Sequence, residues 1–131
     1  MTWLCDTNVI GEVFKKAPSV KIMDWLSDQT ELFLSVITVE EAYYGLSGKN
    51  ARKQIAWFGN LIRHRCQVLP ITQEIAEQCG ILRGTLRRTG ISKSQADLLI
   101  AATAIRHRLT LATRNERDFK DCGVSMFNPF R

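Results

Sequence analysis

The sequence predicts an α/β fold on a mostly parallel central sheet of about five strands, covered by helices on both faces. Three observations carry this. Five short apolar runs, at residues 2–5, 32–36, 66–69, 109–113 and 124–127, have the length of strands. Stretches with apolar residues at helical spacing separate the first four of them. Strands separated by helices need crossover connections, which make neighbouring strands parallel and cover both faces of the sheet.

The elements follow in order. Trp3-Leu4-Cys5 ends abruptly at Asp6 and reads as a buried first strand. From Asn8 to Lys16, Val9, Ile10, Val13 and Phe14 recur at helical spacing, and Pro18 then opens a second helix through Val20, Met23, Trp25 and Leu26. The second strand runs directly into Thr38, where a helix from Val39 to about Leu46 is expected to stop at Gly45 and Gly48. Residues 50–64 form an amphipathic helix through Ile55, Trp57, Phe58, Leu61 and Ile62. A third strand, 66–69, precedes a helix from about Thr72 to Arg88 that Gly90 ends. Residues 94–107 make the most apolar helix, followed by the last two strands.

At 131 residues the chain is about one domain's worth, and residues 1–131 read as a single domain without linker or repeat. No window nears the ~18 unbroken apolar residues of a membrane span. Met1-Thr2-Trp3-Leu4-Cys5-Asp6 has no basic n-region and does not read as a secretory signal, so a cytoplasmic location is expected. Cys5, Cys66, Cys79 and Cys122 lack metal-finger or C-x-x-C spacing and read as small core residues. His64 and His107 each sit between arginines, which would repel a divalent cation.

Charge is unevenly spread. Residues 1–48 carry three Lys and Arg against seven Asp and Glu; residues 49–131 carry fifteen against six, for a net +5 overall. A basic field of this kind favours polyanions such as nucleic acid.

Against that basic background, certain acids fall at element junctions. Asp6 follows the first strand, Glu41 lies in the expected first turn after the second, and Asp97 lies in the first turn of the apolar helix. Asn115 and Asp118 follow the fourth strand. Ligands of open parallel sheets bind outside the carboxyl ends of the strands, which is this edge. Helix capping is a competing account: Thr38-x-x-Glu41 and Ser94-x-x-Asp97 have capping-box spacing, and Asp6 is placed to cap a helix starting at Thr7. The two accounts are compatible, because a first-turn acid keeps a carboxylate free to face a cation. Crowded carboxylates raise one another's pKa, and a hard divalent cation with oxygen ligands removes that cost. Such an ion lowers the pKa of its water for attack on a phosphodiester.

The same residues resemble a family. Leu4-Cys5-Asp6-Thr7-Asn8-Val9-Ile10, Ser35-Val36-Ile37-Thr38-Val39-Glu40-Glu41-Ala42-Tyr43-Tyr44-Gly45, Asp97-Leu98-Leu99-Ile100-Ala101-Ala102-Thr103-Ala104 and Thr113-Arg114-Asn115-Glu116-Arg117-Asp118-Phe119 resemble the signatures of PIN-domain nucleases, and Asn128-Pro129-Phe130 is also typical. The resemblance spans residues 2–130 and is strongest to VapC/FitB-like toxins of type II toxin–antitoxin modules. It implies a PIN-like three-layer α/β/α sandwich. It also implies a Mg²⁺- or Mn²⁺-dependent endoribonuclease, usually a homodimer, that cleaves structured RNA such as tRNA and is inhibited by a small antitoxin. By position, Asp6, Glu41, Asp97 and Asp118 match the acidic metal-site residues, and Asn115 a polar position beside them. Asn8 and Thr113 are expected as auxiliary polar residues. In the doublet Glu40-Glu41, the spacing to Thr38 and Gly45 favours Glu41.

Arg83, Arg87, Arg88 and Lys93 form the densest cationic stretch, and with Arg114 they are the expected RNA contacts. Gly45-Leu46-Ser47-Gly48-Lys49-Asn50 is not a phosphate-binding P-loop: too few residues separate the glycines, and Asn50 stands where a hydroxyl is needed. The alternative reading is a non-catalytic nucleic-acid or protein-binding module of the same fold, whose acids only cap helices.

Overall fold

Short apolar runs become strands and the amphipathic stretches pack over them in the computed structural model, which describes residues 2–131. The strands are β1 (Trp3–Cys5), β2 (Leu32–Ser35), β3 (Cys66–Leu69), β4 (Thr110–Ala112) and β5 (Met126–Phe127). They lie in the order β3-β2-β1-β4-β5, and every neighbouring pair is parallel. In register, Leu4 stands beside Phe33 and Leu111, and Leu111 beside Met126. The helices are α1 (Thr7–Ile10), α2 (Val20–Asp28), α3 (Val36–Gly48), α4 (Arg52–Arg65), α5 (Gln73–Arg88), α6 (Gln95–Arg106) and α7 (Glu116–Phe119), with a 3-10 turn at Gly11–Phe14.

The two-residue period of a strand sends successive side chains to opposite faces. Leu4, Phe33 and Leu111 join one cluster, with Ile75, Cys79 and Leu86 of α5 and Leu98, Ile100 and Ala101 of α6. Cys5, Leu32, Leu34 and Ala112 join the other, with Val9, Ile10, Ile22, Leu26, Leu46 and Phe58. Two helical layers therefore enclose the sheet, and each fully buried Leu, Ile or Phe contributes about 1.5–3 kcal/mol. Cys5, Cys79 and Cys122 are buried, as expected of core residues. Burial pushes the Cys5 thiol up to about 12, helped by the charges of Cys66 and Asp6, so it is inert at neutral pH.

Some boundaries differ from the sequence reading. The first helix does not run to Lys16. α1 stops at Ile10 and the chain tightens into the 3-10 turn, which carries Glu12 inward. Glu12 Oε1 accepts from the Ser19 amide at 2.8 Å and Oε2 lies 3.0 Å from Lys15 Nζ. The helix after β2 begins at Val36, not Val39, because Ser35 is its N-cap and accepts from the Ile37 amide at 3.1 Å. It also runs through Gly45 to Gly48, and the fifth strand covers only Met126–Phe127. Gly90 does end α5, at φ +80°.

Among the described residues, no helix is long and apolar enough to cross a membrane.

Candidate active site

Crossovers leave β1 toward β2 on one side and arrive at β4 on the other, so the sheet order reverses at the β1–β4 boundary. The crevice beyond the carboxyl ends of strands at such a point is where open α/β sheets bind ligands. Asp6 leaves β1 and Thr113 leaves β4 at this boundary, and a backbone bond from the Asp6 amide to the Ala112 carbonyl, 2.9 Å, holds the two ends together.

Asp6 is only 5% exposed and its oxygens are fully directed. Oδ1 accepts from the Thr7 amide at 2.8 Å, so Asp6 does cap α1. Oδ2 accepts from the Thr113 hydroxyl at 2.8 Å and from Asn8 Nδ2 at 2.9 Å. The Thr113 oxygen in turn accepts from the Asn115 amide at 3.0 Å, and Asn8 Oδ1 from the Arg114 amide at 2.9 Å. Burial raises the Asp6 pKa; the Thr113 and Thr7 hydrogen bonds oppose that, and the charges of Asp97 and Glu41 add to it.

Glu41 has a different support from the one its spacing predicts. With α3 beginning at Val36, it lies in the second turn and caps nothing. Its Oε1 instead accepts from the Thr7 hydroxyl at 2.6 Å, a bond reaching across from α1. At Asp97 only half of the expected box forms: Ser94 is the N-cap of α6 and accepts from the Asp97 amide at 3.1 Å, so the cap uses the Asp97 backbone and not its carboxylate. Its pKa is raised, first by burial, against the Ser94 hydroxyl bond, and further by the charges of Asp118 and Glu41, while Lys93 lowers it. Asp118 sits in the single turn of α7, where its amide bonds the Asn115 carbonyl at 3.1 Å.

Asp6, Glu41, Asp97 and Asp118 therefore share one electrostatic neighbourhood, each inside the field of at least one other. Among the described residues, no three His, Cys, Asp or Glu side chains are gathered tightly enough to hold an ion as they stand. The donor set nevertheless fits a hard divalent cation. It consists of carboxylate oxygens without sulfur or imidazole, and their mutual repulsion is the cost such an ion relieves.

Cations line two clefts, and Lys93 in the first lies in the field of Asp97. A cleft of about 550 Å³ is lined by Gly80, Arg83, Gly84, Arg87, Ser92 and Lys93 among others. Arg88, also expected there, is exposed but is not part of that lining. A second cleft, about 570 Å³, is bordered by Arg114, Asn115, Glu116, Arg117, Asp118 and Arg131. Lys93 joins the two clefts, donating to the Arg117 carbonyl at 2.9 Å. Thr7 is the residue that sequence reasoning missed. Its signal was a hydroxyl in the first turn of a helix that starts beside an acid.

The PIN domain family model matches residues 3–124, and the chain belongs to that family. Its relatives include proteins named as VapC ribonucleases and the toxin FitB of Neisseria gonorrhoeae. The chain is 32% identical over 133 residues to VapC ribonuclease Y4jK of Sinorhizobium fredii, with 95% of each chain covered. It is similar to the structure of FitAcB from Neisseria gonorrhoeae, at TM-score 0.85 and 31% identity over 99% of each chain. It is also similar to DNA-bound VapBC from Salmonella typhimurium, at TM-score 0.86 and 26% identity over 98% of each chain.

Proposed function

We propose that this chain is the ribonuclease toxin of a type II toxin–antitoxin module and cuts RNA phosphodiester bonds with Mg²⁺ or Mn²⁺ held by Asp6, Glu41, Asp97 and Asp118. The observation that carries the reading is Glu41. Asp6 caps α1 and Ser94 caps α6 through the Asp97 amide, so those two positions alone would also suit a binding module without chemistry. Glu41 caps no helix, yet the hydroxyl of Thr7, the residue next to Asp6, holds its carboxylate from another element.

When bound, the ion supplies a water acidic enough to attack at neutral pH and positive charge against the phosphate oxyanion. The protein's part is positioning and charge. Thr113, Asn8 and the Thr7 amide occupy set directions on Asp6, so its remaining lone pair has one orientation. The Thr7 hydroxyl does the same for Glu41. Arg83, Arg87, Lys93 and Arg114 hold the RNA backbone along the two clefts, contacts that position the strand without reading sequence. A small antitoxin partner is part of this reading, supported by a similar structure solved as a toxin–antitoxin complex from Klebsiella pneumoniae; a homodimer is part of the proposal as well.

The test is cleavage of total RNA by the purified protein. Defined products should form with Mg²⁺ or Mn²⁺, vanish with EDTA, and be absent for Asp6→Asn and Asp97→Asn. Variants that cut as well as the wild type would overturn the assignment. Metal-independent, salt-sensitive RNA binding that survives Asp97→Asn would favour the non-catalytic module instead.

A further inference from the structure

Asn128-Pro129-Phe130-Arg131 has no part in the chemistry proposed above, yet it lies against the loop that carries Asn115 and Asp118. That loop needs outside support. α7 is a single turn, too short to sustain itself, and Asn115 gives it no side-chain cap. Asn128 supplies ties in two directions. Its Oδ1 accepts from the Phe130 amide at 2.9 Å, which closes its own turn. Its Nδ2 donates to the Arg114 carbonyl at 3.4 Å and to Glu116 Oε2 at 3.3 Å. Phe130 packs against the buried cluster that holds Val9, Ile10 and Ile22, and the Arg114 guanidinium carbon sits 3.9 Å from its ring centroid. Arg131 pairs with Glu116 at 2.8 Å, and its carbonyl accepts from Lys21 of α2. Being largely exposed, that ion pair contributes little. The amide and the ring are the substantive contacts.

We propose that residues 128–131 are a strap that sets the position of the Thr113–Asp118 loop, with Asn128 and Phe130 as positioning residues for the reaction. Asn128 governs where the loop carries Asp118. Phe130 holds the Arg114 guanidinium over the second cleft by a cation–π contact. The kinetic part of the inference rests on the ribonuclease reading; the structural part does not.

The experiment uses the full chain as wild type, Asn128→Ala, Phe130→Leu and Phe130→Tyr. Amide hydrogen exchange without RNA or metal is the first readout. Asn128→Ala should speed exchange across residues 114–118 about 10-fold or more, with residues 98–104 of α6 unchanged. Cleavage with Mn²⁺ is the second readout. Asn128→Ala should lower kcat about 10- to 100-fold with KM little moved, the size expected of a misplaced catalytic group. Phe130→Leu should raise KM instead, and Phe130→Tyr, which keeps the ring face, should restore it. Unchanged exchange at residues 114–118 overturns the strap, and so does equal loosening of α6. A wild type that cuts no RNA refutes the ribonuclease reading, while the exchange result still judges the strap.

Discussion

Thr113 does more for the site than its size suggests, because one buried hydroxyl serves Asp6, Asn8 and the Asn115 amide. Thr113→Val keeps the shape and removes those bonds. Leaving buried partners unpaired should cost about 1–3 kcal/mol in urea unfolding. The hydroxyl also holds the Asp6 pKa down, so its loss should move the acidic limb of the pH–rate profile to higher pH. Stability of the metal-free protein has a pH dependence of its own. Asp6 and Asp97 are raised in the fold above the ordinary 3.8, so what they contribute is complete below that value and is lost as pH rises through their raised values. Glu12 has the opposite sign. Burial opposes ionisation there, but the Ser19 amide and the Lys15 ammonium outweigh it and hold Glu12 below the ordinary 4.5. Its contribution is present above 4.5 and lost as pH falls through the lowered value. In EDTA, Glu12→Gln should therefore flatten the acid side of a Tm–pH curve, and saturating Mn²⁺ should flatten the neutral side. At about 100 times its Kd, bound metal should add about 2.7 kcal/mol.

At the scale of the element, three helices end in one way. After α3, α5 and α6 the chain reverses through Asn50, Gly90 and Arg108, all at positive φ, and the paired bonds are those of a Schellman motif. For α6 these run from Arg108 to Ile105 and from Leu109 to Ala104, at 3.2 and 2.9 Å. Only Gly90 announces this in the sequence. A left-handed residue other than glycine costs about 1–2 kcal/mol, less glycine's entropy in the unfolded chain. Arg108→Gly should accordingly raise stability by under about 1 kcal/mol, and Gly90→Ala should lower it by about as much, both read as shifts in the urea midpoint. The same contrast marks what was legible beforehand. The strand runs, the apolar helix and the Ser94–Asp97 cap could be read because local pattern and tertiary packing agree there. The start of α3 could not, since Ser35 and Thr38 both have cap chemistry and only packing selects between them; Thr38 is fully buried within the helix. Nor could Thr7–Glu41, a bond between residues 34 apart in sequence, or the turn at Gly11, where a buried Glu12 interrupts an otherwise helical pattern.

At the scale of the whole molecule the chain carries a net charge of +5, and α5 is where its cationic surface weighs against stability. Gly80 and Gly84 occupy the middle of this helix, and a Cβ added at either meets nothing within 4 Å. No packing requires them, and glycine inside a helix is less stable than alanine by about 0.5–1 kcal/mol. Both line the cleft between Arg83, Arg87 and Lys93, where bare backbone leaves room for a close-lying phosphodiester chain. Gly80→Ala with Gly84→Ala should therefore raise the urea midpoint while weakening RNA binding, a trade of function against stability. Charge removal separates the electrostatic part from the steric part. Each of Arg83→Gln and Arg87→Gln should reduce the slope of log K against log salt by about 0.7 for single-stranded RNA, because each phosphate contact releases bound counterions. The glycine variants should leave that slope unchanged and shift the line as a whole. A double glycine variant that is more stable yet binds RNA at wild-type strength would show that the cleft is a surface hollow and that the strand runs elsewhere.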